Sequence, residues 1–345
     1  LFCTIVARNY LDRAHALVCT LRRHHPDAHV AVLVLDGASS APVDGVEYLT
    51  PVDVGLSHED FAQMTVIYDV TELATAVKPW LLAYLLDSEE VVTYLDPDGE
   101  VFAPLHALPA AAAGSGLALV PHITRPIPRD GLFPDEELIL GCGTFNLGVV
   151  AVSRAGRDFL AWWQERLRWD CLDEPLRGHF VDQRWVDIAV RLFPSTTVGD
   201  PGIDVAYWNL HERTVERQGD QWMVNGVPLR YFHYSGYSPA EPDRLSRYEG
   251  RPWRTSLAAE PALRALFDEY GRHLVTHRSN DVDAAYGYSV IDGVVLTREI
   301  RRGYRDELLR QGVPTGGTGQ GFAAWAARRG RGHTRWRRLA SALRR

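Results

Sequence analysis

The residues with the clearest chemistry are Asp96 and Asp98, the two carboxylates of an Asp-Pro-Asp that ends the apolar run Val91-Val92-Thr93-Tyr94-Leu95. Carboxylates delivered together by one buried strand can grip a divalent cation, and oxygen ligation suits hard ions such as Mn²⁺ or Mg²⁺ that also hold a diphosphate. In an open α/β sheet, ligands sit beyond the carboxyl ends of the strands, where these two residues fall. The pattern points to an enzyme that handles a nucleoside diphosphate. The competing reading is an exposed Asp-Pro-Asp-Gly turn, because turns use the same residues. Lys78 is a second candidate, set among Val77, Leu81 and Leu82. An unpaired ammonium there is costly, so a fixed anion is expected beside it. A bound phosphate fits; an ion pair with Asp69, Glu72 or Asp96 is the alternative. Asp36 ends a second apolar run on the side where nucleotides bind, unless it is a simple turn aspartate.

These residues need a sheet to carry them. Phe2 to Ala7 reads as a buried strand, followed by a helix with Leu17, Val18 and Leu21 at helical spacing, then a strand over Val30 to Leu35. Strand, helix, strand implies a right-handed parallel unit. A helix from about Val70 to Leu86, bent or divided at Pro79, leads into the Asp96–Asp98 strand. Phe145 to Val152 supplies another strand, and the helix after it buries Phe159, Leu160, Trp163 and Leu167. Gln221 to His233 reads as a hairpin turning at Asn225-Gly226.

At 345 residues the chain predicts one large domain with an appendage, or two domains. No apolar stretch approaches the roughly 20 residues of a membrane span. No basic-then-apolar leader precedes the first strand, and a chain that begins at Leu1 is expected to have a trimmed N-terminus. Cys3, Cys19, Cys142 and Cys171 show no Cys-x-x-Cys spacing, which predicts free thiols in a reducing cytosol. The net charge of −7 conceals an asymmetry, since residues 301–345 hold twelve Arg against two acidic residues. The acidic body is a poor match for a nucleic acid, whereas the basic end suits an anionic surface.

Taken in order, Thr75-Ala76-Val77-Lys78-Pro79-Trp80, Tyr94-Leu95-Asp96-Pro97-Asp98, Phe145-Asn146-Leu147-Gly148, Asp182-Gln183, Asn209-Leu210-His211 and Phe232-His233-Tyr234-Ser235-Gly236 form a pattern. It resembles that of the GT-A glycosyltransferases related to glycosyltransferase family 8, the glycogenin and lipopolysaccharide galactosyltransferase group. Further stretches, with Tyr286-Gly287-Tyr288 and a helix at Arg301 to Arg305, look like a bacterial branch found in polysaccharide assembly. The resemblance implies an α/β, Rossmann-like GT-A fold with a mostly parallel central sheet. It divides into a catalytic domain over 1–255, a helical C-terminal extension over 256–311, and a Gly-rich linker with a basic tail over 312–345.

The activity implied is metal-dependent transfer of a hexose from a nucleoside diphosphate sugar to an acceptor hydroxyl, with retention of configuration. UDP is favoured over GDP, and the acceptor is a glycan, a lipid-linked sugar or another hydroxyl. Asp96, Asp98 and His233 would hold Mn²⁺ or Mg²⁺; the alternative for His233 is a structural place among Tyr231, Phe232 and Tyr234. The donor would meet Thr4, Val6, Tyr10, Asp36, Lys78, Asp96, Asp98 and Gly236, with Tyr10 stacking on the base. Asn146, Asp182 and Gln183 would surround the transferred sugar, although Asp182 also suits a helix N-cap. Trp208, Asn209 and His211 would face the acceptor, with a core position as the alternative for Trp208.

Two other readings compete. A nucleotidylyltransferase needs a Gly-rich loop after the first strand, and Thr4 to Tyr10 contains no Gly. A non-catalytic carbohydrate-binding protein has no use for Asp96, Asp98, His233 and Lys78 together. In the tail, Phe322, Trp325, Trp336, Leu339 and Leu343 alternate with eight arginines. This predicts a peripheral contact with the inner face of the plasma membrane, from the cytoplasm, that brings a lipid-linked acceptor within reach. A solvated end, or a helix docked on the acidic body, is the alternative.

Overall fold

The computed structural model describes residues 1–39, 42–248, 252–311 and 321–328. The strands that position the site are, in chain order, β1 (Phe2–Val6), β2 (Val30–Val34), β3 (Val46–Leu49), β4 (Val91–Leu95), β5 (Gly99–Val101), β6 (Leu117–Pro121) and β7 (Phe145–Ser153). A two-residue ladder, β8 (Asp173–Glu174) with β9 (His179–Phe180), precedes β10 (Thr196–Thr197). Then come β11 (Val215–Gln218), β12 (Gln221–Val224), β13 (Val227–Pro228) and β14 (Tyr231–His233).

The central sheet has the order β10-β6-β7-β4-β1-β2-β3. Its strands are parallel except β7, which runs against both β4 and β6. The fold is therefore mixed α/β with a mostly parallel sheet. Side chains alternate across β1, so Cys3 and Ile5 enter one apolar cluster while Phe2 and Val6 enter the other. A sheet buried on both faces needs helices on both. One face is covered by α1 (Leu11–His24) and a later helix, Ala107–Ser115. The other is covered by Val70–Ala76, Lys78–Leu85 and Arg157–Asp170.

The predicted helix over 70–86 is two helices meeting at Val77, with Lys78 and Pro79 opening the second. Proline is tolerated in a first helical turn because its missing N–H has no partner there anyway. The predicted hairpin is also divided. Asn225 (φ 50°) and Gly226 (φ 81°) join β12 to β13 as expected. Tyr231–His233, however, leaves the hairpin and pairs antiparallel with β5, placing His233 opposite Gly99. The cause is local: the N–H groups of Arg230 and Tyr231 both donate to the Gly202 carbonyl, at 2.7 and 3.0 Å, which draws the chain across to β5.

The C-terminal helices Pro261–Thr276 and Arg298–Arg310 are fastened to this body. Buried Arg301 donates to the carbonyls of Thr65, Val66, Tyr68 and Tyr288. Three of these lie at or just beyond the C-terminal end of the helix His58–Ile67, where carbonyls lack intrahelical partners and positive charge is favoured. Residues 321–328 are helical, and Phe322 and Trp325 pack on Tyr304 with ring centroids 5.2 and 5.4 Å away. Both are buried. The expectation that they enter a membrane interface is corrected: their apolar area is already spent on the body, as in the docked-helix alternative. Trp336, Leu339, Leu343 and the linker over 312–320 lie outside the described residues. Among the described residues no helix is long and apolar enough to cross a membrane.

Replacing Arg301 with Ala strands several buried carbonyls, each costing about 1–3 kcal/mol when left unpaired. Urea unfolding of Arg301→Ala is expected to show a loss of roughly 3 kcal/mol or more. A midpoint equal to that of the unaltered chain would show that the extension is not held in this way.

Candidate functional site

Asp96 lies just past β4, its N–H bonded to the Gly148 carbonyl at 2.7 Å, and Asp98 immediately precedes β5. Because His233 sits opposite Gly99, its ring meets both carboxylates. His233 Nε2 is 3.2 Å from Asp98 Oδ1 and 3.7 Å from Asp96 Oδ2. One donor atom from each of the three residues lies within 4.8 Å of the other two. Two carboxylates and an imidazole form a donor set suited to Mn²⁺ or Mg²⁺, so the residues fit the expected ion. Gly148 makes the approach possible. A Cβ there would lie 2.7 Å from Asn146 Oδ1, from Asp96 Oδ2 and from His233 Cε1.

Behind the ring stands a residue that the sequence reading missed. Asp204, fully buried and with φ 56°, places Oδ1 3.3 Å from His233 Nδ1. The Nδ1–H donates to Asp204, which turns Nε2 towards Asp96 and Asp98, where it holds a proton that a bound ion would displace. A carboxylate behind a ligating histidine fixes the tautomer and raises ligand basicity. Burial disfavours a charged ring here, but Asp98 and Asp204 outweigh it and hold the His233 pKa well above its usual value. The same attraction keeps Asp98 below the usual carboxylate range despite burial. The signal for Asp204 was an aspartate between the apolar Ile203 and Val205, since a buried carboxylate demands a partner.

Lys78 and Asp182, both about 1% exposed, form a 2.6 Å ion pair. Lys78 Nζ also donates to the Leu147 carbonyl at 2.8 Å and stands 4.3 Å from the centre of the Tyr94 ring. The fixed anion beside Lys78 is Asp182, which corrects the expected ion pair with Asp69, Glu72 or Asp96. Asp69 and Glu72 are occupied in a reciprocal cap of Val70–Ala76, and Asp96 accepts from the Tyr94 hydroxyl at 2.8 Å. The N-cap alternative for Asp182 also fails, since its side chain makes no cap bond. Burial raises the Asp182 pKa, and Lys78 opposes the rise. Val181 holds φ 39°, a conformation costly for a β-branched residue and concentrated at functional sites.

The remaining candidates fall into two groups. Around the cluster, Asn146 Oδ1 accepts from the Gly148 N–H at 2.8 Å and its Nδ2 faces His122 Nε2 at 3.3 Å. Gln183 Nε2 donates to the Cys142 carbonyl at 2.9 Å. Trp208 is buried between two imidazoles, edge-on to His122 at 5.4 Å and to His233 at 5.3 Å; it follows the core alternative. Asn209 is fully buried, and its amide bonds the backbones of Ala206, His122 and Asp204. It is a brace for the segment carrying Asp204. His211 is half-buried, with Nε2 3.2 Å from the Arg125 carbonyl.

Further out, Thr4 and Val6 are buried in β1, and Val6 belongs to the core. Tyr10 is half-buried under the Arg13 guanidinium, 4.0 Å from its ring centre. Asp36 accepts from the N–H groups of Arg8 and Gly287, at 2.8 and 2.9 Å, and so latches the end of β2 to the 286–288 segment. Gly236 has φ 75°, and a Cβ there would lie 2.5 Å from Ser246 Oγ.

The chain matches no family model. The "Uncharacterized protein YfnF" of Bacillus subtilis (strain 168) is 27% identical over 289 residues, which is 80% of this chain and 93% of YfnF. Among solved structures, the galactosyltransferase LgtC in complex with donor and acceptor sugar analogues is 16% identical, with a TM-score of 0.43, over 79% of this chain and 95% of LgtC. The glycosyltransferase GlyE of Streptococcus pneumoniae TIGR4 is 17% identical, with a TM-score of 0.40, over 80% of this chain and 63% of GlyE.

His122 generates a prediction about acid stability. Burial pushes its pKa down from 6.5 to about 4, with Asp204 opposing, so the ring is neutral in the fold and protonates more readily in the unfolded chain. Its contribution is therefore present above the unfolded value and lost as the pH falls towards the folded one. Thermal melts are expected to fall more steeply for the unaltered chain than for His122→Gln across that window, by a differential of about 3 kcal/mol at most. Parallel pH profiles for the two proteins would refute this account.

Proposed function

We propose that this chain is a metal-dependent GT-A-type glycosyltransferase that moves a hexose from a nucleoside diphosphate sugar, with UDP preferred to GDP, to an acceptor hydroxyl. The reading places it in bacterial glycan or polysaccharide assembly, with retention of configuration, the outcome implied by the family resemblance. The observation that carries it is the convergence of Asp96, Asp98 and His233 at the end of β4, with Asp204 behind the imidazole. A surface turn has no need of a buried histidine oriented by a buried carboxylate. A carbohydrate-binding module has no need of a charged cluster built for a hard ion.

Asp96, Asp98 and His233 would hold Mn²⁺ or Mg²⁺, which supplies neutralisation of the diphosphate as the sugar leaves. Asp204 keeps the His233 lone pair directed at the ion. Lys78 is a positioning residue in this reading: its charge keeps Asp182 ionised, and its contact with Tyr94 ties that pair to Asp96, which Tyr94 also bonds. Asp182 then offers fixed negative charge near the positive charge that develops at the anomeric carbon. Tyr10, half-buried just after β1, is the aromatic available to a nucleobase. The catalytic body is 1–255, with 256–311 as an extension bound to it; any contact with a membrane rests on residues 329–345 alone.

The test is turnover of a panel of nucleotide sugars with Mn²⁺, read as release of free sugar or transfer to added acceptors. Asp98→Ala is expected to lower the rate by about 10²-fold or more, in keeping with the several kcal/mol a metal contributes. His233→Ala should act in the same direction but less severely. Asp204→Asn is expected to weaken Mn²⁺ binding about 10- to 100-fold while leaving the fold intact. If folded Asp98→Ala and His233→Ala keep the unaltered rate in the presence of EDTA, the proposal is wrong.

The base preference is tested separately. Calorimetric titration of the Mn²⁺-loaded protein is expected to give UDP the tightest binding, followed by GDP. Tighter binding of ADP than of either would overturn the preference.

A further inference from the structure

A second group of metal-ligating side chains lies where α1 faces the C-terminal helix Pro261–Thr276. His273 and His277 are four residues apart and so share a face; His277 is the residue that caps this helix at its C-terminal end. Their Nε2 atoms are 3.1 Å apart. Cys19 of α1 completes the group, with one donor atom from each of the three residues within 4.8 Å of the other two. These residues take no part in the cluster around Asp98.

The surroundings match the chemistry. Glu100 Oε1 lies 2.5 Å from His273 Nδ1, and its other oxygen accepts from the Tyr234 hydroxyl at 3.1 Å. The bond to Glu100 places the His273 proton on Nδ1 and turns the Nε2 lone pair towards His277. Arg23 donates towards Cys19 Sγ at 3.5 Å and sets positive charge next to the sulfur. A cavity of about 720 Å³, lined in part by Thr20, Arg23, His273 and Thr276, opens beside His273.

We propose that Cys19, His273 and His277 bind a zinc-class divalent ion, with Glu100 orienting His273 from behind and water from the cavity as the fourth ligand. Sulfur and imidazole donors suit Zn²⁺ and disfavour Mg²⁺ or Mn²⁺, the reverse of the oxygen-rich set at Asp96 and Asp98. The chain then holds two ions of different chemistry, and it sorts them by donor type. The zinc ties the helix Pro261–Thr276 to α1, and through Glu100 it reaches β5, the strand that follows Asp98 and pairs with the strand of His233. Its role there is to brace the platform of the first site.

The test uses the full chain, without a polyhistidine tag, stripped with a chelator and titrated with Co²⁺ as a spectroscopic probe. The expected result is one Co²⁺ per chain that gives strong visible bands of four-coordination and a near-ultraviolet thiolate charge-transfer band, apart from Co²⁺ taken up at the oxygen-rich site. Stoichiometric Zn²⁺ should remove both, and excess Mn²⁺ should remove neither. Cys19→Ser should abolish the charge-transfer band and, like His277→Gln, weaken Zn²⁺ binding at least about 10-fold; Glu100→Gln should weaken it about 10-fold through His273. Absence of the thiolate band in the unaltered protein overturns the proposal whatever the variants do. Zn²⁺ affinity unchanged in both folded Cys19→Ser and His277→Gln overturns it equally.

Discussion

Four aspartates gather at one edge of the central sheet, Asp96 and Asp98 half-buried and Asp182 and Asp204 almost completely so. Holding that much negative charge away from water is costly unless each carboxylate is paired and hydrogen-bonded, and this requirement governs the neighbouring structure. Lys78 is committed to Asp182. The His233 ring is shared between Asp98 on one side and Asp204 on the other. Tyr94 and Tyr231 bond the side chain and the carbonyl of Asp96. Removing one partner leaves its carboxylate uncompensated, so the cluster tolerates little simplification. A divalent ion bound at Asp96, Asp98 and His233 would answer the same need as a fixed positive charge.

The sheet was largely legible because its strands are continuous apolar runs, which strands buried on both faces must be. The division at Pro79 and the turn at Asn225-Gly226 were legible for local reasons, in the φ preferences of proline, asparagine and glycine. Long-range partners were not. Physics alone says that a buried Lys78 needs an anion, but Asp182 lies 104 residues away and nothing in its spacing identifies it. Asp204 is a single carboxylate in an apolar stretch, and its meaning depends on a strand exchange fixed by the Gly202 carbonyl. Cys19 and the pair His273 and His277 occupy opposite ends of the chain, and only the packing of two helices brings them together.

The C-terminal third illustrates how charge can fasten one part of a molecule to another. Arg301 takes carbonyls at the end of a helix, Arg302 joins Glu72 to Glu174, and Arg305 joins the Trp169 carbonyl to Asp170. The planar guanidinium, with several donors in a fixed fork, suits such multiple acceptors better than lysine does. Arginine richness at the start of the basic segment therefore reports internal attachment, a use that net charge by itself does not reveal.

The reversal of β7 has a consequence for how such a protein can diversify. In a wholly parallel sheet every strand would bring its last residues to this edge. Because β7 runs the other way, it brings its first ones, and Asn146, Leu147 and Gly148 arrive beside Asp96. The connection that precedes it, residues 122–144, consequently opens on the same side as the connection that follows β4. Insertions, deletions or exchanges in that connection can reshape the entrance to the cluster while the strand register stays fixed. The reversed strand thus separates an exchangeable rim from a floor of fixed geometry, and the rim can change without rebuilding the charges beneath it.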